Sequence, residues 1–461
     1  MREPLTATRE PETTRLREER LPRRLGLISA TAILVGTTIG SGIFRVPASV
    51  AEHVGTVGAI ALLWIVGALV AVFGALTIAE LAALYPRSGG IYVFLREAYG
   101  PVPAFLFGWT ELLVIRPSAL GALAILFAEY TGHFFPLGTG GERLLAAAAI
   151  ALLAATNVRS VDWAAAVANV TTVAKVLALT GVALLVFMFG DVSQGALSQP
   201  IEWSPLTWGG FGVALIAVMW AYDGWADLTF VSGEVRDPER TLPRALLGGV
   251  AIIVVIYLLV NLAYLWVLQI DEMVGARLVA ADAANRIFGG AGAGVISGLV
   301  MLSAFGALNG STLTGPRILY AMAEDKLFFR PIAHVHPKFR TPDAAIILCS
   351  LLGIGYVSIR GFERLANDFI LGIWPFYALA VGAVFILRRR QPDLVRPYRT
   401  LGYPVVPLIF LIASVLMLAN SLVRDTLPTM IDFGIILLGI PVYYVWRARS
   451  QSGESGSGSG A

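Results

Sequence analysis

Apolar residues in this chain gather in runs of roughly 20 or more, the length that crosses the hydrocarbon core of a bilayer as a helix. Twelve spans are predicted, near 26–50, 57–84, 101–134, 143–157, 163–190, 208–232, 245–268, 287–322, 343–359, 366–388, 404–423 and 430–446. A membrane barrel would show strictly alternating segments of about 10 residues instead. The longest polar gaps, near 191–206 and 323–342, are too short for a soluble domain. The pattern predicts an all-α integral membrane protein with 12 transmembrane helices. It has a basic tail over 1–24, one transmembrane domain over 25–449, and a flexible Ser/Gly tail or linker over 450–461.

Two spans are interrupted. The first carries Gly36, Gly40, Ser41 and Gly42 in VGTTIGSGIF, and the sixth carries Asp223 and Gly224 in AYDGWA. Both clusters weaken a helix where lipid offers no water to freed backbone groups. Broken backbone at that depth is tolerated only where it lines a cavity or is buried in protein. Small residues also let helices touch. Matching breaks in the first and sixth spans, with a carboxylate in the second, point instead to a midplane site between two repeats.

A half-helix N-terminus offers free N–H groups and a positive dipole end to a carboxylate. A half-helix C-terminus offers carbonyls to an ammonium. A free amino acid carries both groups. Gly40, Ser41 and Gly42 suit the carboxylate. The carbonyls of Thr38, Ile39, Trp220, Ala221 and Asp223 suit the ammonium, with Gly224 closing the AYDG segment. The substrate side chain is then expected against Tyr222, Trp225 and Ala226.

Composition agrees with a membrane setting. Hydrophobic residues make up 57% of the chain and charged ones 14%, too few charges to cover a soluble surface. Net charge is +3, and its placement matters more. With the N-terminus in the cytoplasm, most of the 34 Lys and Arg fall on the cytoplasmic side. Arg143, Arg277, Arg360, Arg364 and Arg424 fall outside, and Arg45, Arg116, Lys175, Arg286 and Arg317 lie in or beside spans. That asymmetry predicts both termini inside, in a cell (inner) membrane. No basic stretch is interleaved with stacking aromatics, so nucleic acid is excluded as a partner. Cys349 sits in a span and reads as a small core hydrophobe; with one Cys and four His, neither a metal site nor a cofactor is expected. No nucleophile–base pair marks an enzyme, and no repeated pore-lining ring marks a channel.

Lys175 lies deep in the fifth span, VTTVAKVLAL, where a cation is expensive and needs partners. Its depth disfavours the alternative of snorkelling to an interface.

GTTIGSGIF in the first span is followed by IAELAALYPRSGGIYVFLREAYGP at 78–101 and WAYDGWADLTFVSGEVRDPERTLPRA at 220–245. GALNGSTLTGPRILYAMAEDKLF at 306–328 and RRRQPDLVRPYR at 388–399 come after. In these motifs and their order the chain resembles the amino acid–polyamine–organocation (APC) superfamily, and within it the L-amino-acid transporter (LAT) family. The resemblance implies a LeuT-like fold: inverted repeats of five spans over 25–190 and 206–390, then two helices over 403–447. It implies sodium-independent exchange of small or large neutral L-amino acids by alternating access. The alternative is proton-coupled uptake of cationic amino acids or polyamines.

By the same resemblance, Gly40, Ser41 and Gly42 take the substrate carboxylate, and the carbonyls of Thr38, Ile39, Trp220, Ala221 and Asp223 its ammonium. Trp225, or Tyr222 beside it, closes the site. Lys175 occupies the space of a sodium ion and bridges the fifth span to the broken first one. Asp223 helps the ammonium, selects a cationic side chain or caps the broken helix. Ala226 and Asp227 depart from the Asn and bulkier residue of many relatives, which leaves side-chain selectivity open. Relatives that bind a heavy subunit do so through a cysteine between the third and fourth spans. TGHFFPLGTGGER has none, so no disulfide-linked heavy subunit is expected. Glu80, Arg87 and Arg96 suggest a gating ion-pair network with Glu234, Arg236 or Arg317. Glu111 and Arg116 are five apart, a spacing that assures no direct pair on an α-helix.

Overall fold

The structure, a computed structural model, describes residues 23–40, 42–200, 207–276 and 278–456. The main helices are α1 (Leu27–Thr38), α2 (Gly42–Val54), α3 (Val57–Leu84), α4 (Ile91–Tyr99), α5 (Pro101–Thr131), α6 (Gly138–Arg159) and α7 (Val161–Phe189). They continue with α8 (Trp208–Tyr222), α9 (Asp227–Phe230), α10 (Pro238–Val267), α11 (Val279–Glu324) and α12 (Asp343–Ile359). The last are α13 (Phe362–Arg390), α14 (Val405–Arg424) and α15 (Thr426–Gly456). Among the described residues, 10 helical stretches are long and apolar enough to cross a membrane, and α8 and α12 are shorter apolar helices. Exposed Val170, Val173, Leu177 and Leu184 run along α7. Such an apolar skin is costly in water and natural against lipid.

The irregularities fall where the sequence weakens the helix. Helix α1 ends at Thr38, Ile39 leaves the helical region (ψ 79°), and α2 starts at Gly42. Helix α8 ends at Tyr222, Asp223 is extended (ψ 160°) and Gly224 takes φ 112°, a left-handed value that favours glycine. Helix α11 bends at Gly289 (φ 64°) and reaches back to Val279, ahead of the predicted 287–322. Helix α15 passes its predicted end at 446 and enters the segment expected as a flexible tail. In α5, Glu111–Ile115 forms one π-turn.

Helix α1 packs between α7 and α10, and α2 packs on α8. Helices α5, α11 and α13 complete the surround, so both breaks lie in the middle of the molecule. The face on which the described part of the chain begins and ends is closed. The Arg24 and Leu25 N–H groups donate to the Glu234 carbonyl at 2.8 and 2.9 Å, and the Arg236 N–H donates to Leu25 at 2.8 Å. The Gly89 N–H donates to the Phe230 carbonyl at 3.0 Å. Beneath them Arg317 Nε donates to buried Glu234 at 2.8 Å. Arg96 pairs with Asp325, and Arg388 with Glu80 at 2.6 Å.

Candidate functional site

The two breaks face each other across a small cavity. Thr37, Thr38, Gly40 and Gly42 line it from the first break, and Trp220, Asp223, Gly224 and Asp227 from the second. Arg116, Ala119 and Leu123 of α5, Ser311 of α11 and Phe369 of α13 close it. Ser41 lies outside the described residues, as does Arg277. Ile39, Ala221, Tyr222, Trp225 and Ala226 are buried but do not line the cavity.

Glycine is needed here for close approach. A Cβ on Gly42 would overlap the Ala221 backbone. One on Gly224 would come within 2.8 Å of the Thr38 nitrogen. The Thr37 hydroxyl donates to the Gly224 carbonyl at 3.1 Å, tying the breaks together.

The carbonyls of the first break are occupied. Thr38 accepts from the Tyr257 hydroxyl at 2.9 Å and from the Gly40 N–H at 2.8 Å. Ile39 accepts from Lys175 Nζ at 2.7 Å and from the Ser303 hydroxyl at 3.1 Å. A carbonyl has two lone pairs, so neither has one left for an ammonium. Across the cavity, Asp223 is buried beside the Tyr377 hydroxyl. Lys175 is fully enclosed and also donates to the carbonyls of Gly36 (2.8 Å) and Ser303 (3.2 Å), so it bridges α7 to α1 and α11.

One wall of the cavity is charged. Arg116 donates to Glu111 at 2.6 Å and to the Ser311 hydroxyl at 2.6 Å, and lies 3.7 Å from Asp227. The Thr314 hydroxyl donates to Asp227 at 2.8 Å. The Glu111–Arg116 pair forms at a five-residue spacing because the π-turn advances five residues per hydrogen bond and stacks i over i+5.

Trp220 stands between this cavity and a second space. Its ring meets Phe369 edge-on at 5.1 Å and Phe362 at 6.1 Å. Beyond it a wider vestibule occupies the far face, and Trp220 lines both spaces. Tyr222 and Trp225 were expected in this place. Tyr222 instead donates to the Trp64 carbonyl at 3.3 Å and packs on Tyr257. Trp225 lies 5.2 Å from Tyr377. Tyr222 follows Trp220 by two positions and so points across the helix, and the reversal at Asp223–Gly224 turns Trp225 away.

Sequence reasoning missed Thr37, Ala119, Leu123, Ser311 and Phe369 as lining residues. Arg116, Ala119 and Leu123 lie three and four apart, one helical face, which is the one signal that could have found the α5 wall.

The model of the amino acid permease family matches residues 25–445. The serine/threonine exchanger SteT of Bacillus subtilis (strain 168) is 34% identical over 435 residues, 94% of this chain and 98% of that protein. The b(0,+)-type amino acid transporter 1 of Homo sapiens is 32% identical over 450 residues, 95% of this chain and 90% of that protein. The cystine/glutamate transporter of Homo sapiens is 32% identical over 439 residues, 92% and 85% respectively.

Proposed function

The chain belongs to the amino acid permease family, and on that premise we propose that it is a sodium-independent exchanger of neutral L-amino acids working by alternating access. The observation that carries this is the cavity between two broken helices, with the N-terminus of α2 on one side and the buried Asp223 carboxylate on the other. The N–H groups at the start of α2, flanked by Gly40 and Gly42, suit a carboxylate. The ammonium goes to the carbonyl end of α8 at Trp220, Ala221 and Asp223, and to the Asp223 carboxylate. The side chain lies among Ala119, Leu123, Ser311, Trp220 and Phe369, a small space with polar groups, which suits serine, threonine or alanine. The serine/threonine exchange of the Bacillus relative supports that choice. Lys175 supports sodium independence, since its ammonium already supplies a positive charge to the carbonyls of the first break.

The 10 long spans with α8 and α12 make twelve, in keeping with two inverted five-span repeats and two more helices. The clustering of Lys and Arg on the face of the chain ends supports an inner-membrane protein with that face cytoplasmic. The state is then closed to the cytoplasm, lidded by Trp220, with its vestibule outside.

Counterflow in proteoliposomes tests the reading. Labelled serine is expected to accumulate only with unlabelled amino acid trapped inside, with no need of sodium or a pH gradient. Uptake into empty liposomes driven by an imposed pH gradient overturns exchange. The buried Asp223 carboxylate on the cavity wall favours one second reading, uptake of cationic amino acids, and lysine competing better than serine would select it.

A further inference from the structure

The chain between α13 and α14 folds back on itself at one carboxylate. Glu80 of α3 accepts from Arg388 at 2.6 Å and from the Thr400 N–H and hydroxyl, each at 2.7 Å. The Arg388 guanidinium also stands over the Tyr403 ring, 3.9 Å from its centre. Arg396 fills the loop from within. It donates to the carbonyls of Leu387 at 3.2 Å, Gln391 at 2.9 Å and Leu394 at 2.9 Å. The loop over 389–399 is therefore preset in shape.

What the loop shows outward is a mixture that water alone does not suit. Val395 at its tip is 83% exposed, and Leu394 is exposed beside it. Arg389, Arg390 and Arg399 are exposed around them, and Asp393 is the one acid over 388–401. Arg390 donates to the Ala98 carbonyl at 2.8 Å. Arg389 and Arg399 make no ion pair or side-chain hydrogen bond among the described residues. They adjoin Arg388 and Thr400, the two residues that meet at Glu80, so both guanidinium groups stem from the neck of the loop.

An exposed apolar strip starts at the same neck. Leu401 leads to Val405, Leu408, Ile412 and Val415, the last four on one face of α14. That face belongs to a helix long and apolar enough to span a bilayer. Cations at the end of a lipid-facing strip match a molecule with a negative head and long apolar chains, and basic groups beside a spanning helix attract anionic headgroups. We propose that the α13–α14 loop and the adjoining face of α14 form a binding site for an anionic phospholipid. Arg389 and Arg399 take its phosphate, its acyl chain lies along the α14 strip, and Leu394 and Val395 seat among neighbouring chains.

The test counts bound lipid by native mass spectrometry on the full chain in detergent, titrated with phosphatidylglycerol or phosphatidylcholine. The wild type is expected to bind phosphatidylglycerol more tightly. Arg389→Gln with Arg399→Gln is expected to weaken phosphatidylglycerol binding about tenfold and to leave phosphatidylcholine unchanged. Leu401→Asp, which puts a carboxylate at the head of the strip, is expected to weaken it in the same direction. Arg240→Gln with Arg244→Gln removes two exposed cations elsewhere, at the start of α10, and is expected to keep the wild-type preference. Equal binding of the two lipids, a preference kept by the loop variant, or one lost equally in the α10 variant overturns the proposal. So does inorganic phosphate that raises the melting temperature of the wild type as much as phosphatidylglycerol does, since the loop would then hold a free anion without need of the strip.

Discussion

Lys175 shows what one residue contributes to the break. Its three hydrogens meet three neutral carbonyls, at Gly36, Ile39 and Ser303, and the Ile39 carbonyl points to it only because α1 stops at Thr38. The lysine thus holds the broken conformation as much as it neutralises it. Lys175→Ala strands these acceptors in a dry interior, at about 1–3 kcal/mol for each left unpaired. Counterflow is expected to fall below a tenth of wild type while the protein still elutes as one folded species, at a lower melting temperature. Full activity would remove the role. The glycines make a finer prediction. A methyl on Gly42 meets the Ala221 backbone, which cannot give, whereas one on Gly40 meets side chains, Leu123 at 3.0 Å and Ala307 at 3.2 Å. Gly42→Ala is therefore expected to abolish the thermal shift produced by serine, and Gly40→Ala to reduce it only partly; the reverse order would contradict this packing.

Among the elements, the helix breaks were legible in the sequence because they are local: Gly36–Gly42 and Asp223–Gly224 weaken the helix on their own account. What surrounds them was not. Ser311 and Phe369 come from α11 and α13, and nothing in their own segments marks them as facing the cavity. Which aromatic stands between cavity and vestibule was hidden for a geometrical reason, since Trp220, Tyr222 and Trp225 look alike in composition and differ only in where a turn sends them. The π-turn was equally hidden, because a spacing of five reads as no pairing on an α-helix. Its consequence is testable. Glu111 neutralises the cation that lines the cavity, and Glu111→Gln keeps the shape while removing the charge. Serine counterflow is expected to drop about tenfold, corresponding to ~1.4 kcal/mol. Aspartate is expected to become a better competitor than in wild type and lysine a worse one. Unaltered selectivity would mean that Arg116 does not face the ligand.

The whole molecule is closed on the face of its termini and vestibular on the other, so transport requires the closed face to open. The tie there with the most at stake is Glu234–Arg317, enclosed on all sides and roofed by the hydrogen bonds between Leu25 and the segment after α9. Removing one partner of such a pair costs about 3–5 kcal/mol while the other stays buried. The cost applies to the closed state, because opening admits water to Arg317. Glu234→Gln should therefore shift the population toward the state open at the terminal face, and each ~1.4 kcal/mol of difference changes the ratio tenfold. A cysteine at Ala119, on the cavity wall, in a Cys349→Ala background reports it. With Glu234→Gln added, a membrane-impermeant maleimide is expected to label that cysteine at least tenfold faster from the terminal face and more slowly from the far face. Equal rates from both faces with and without the change would show that the buried pair does not hold the gate.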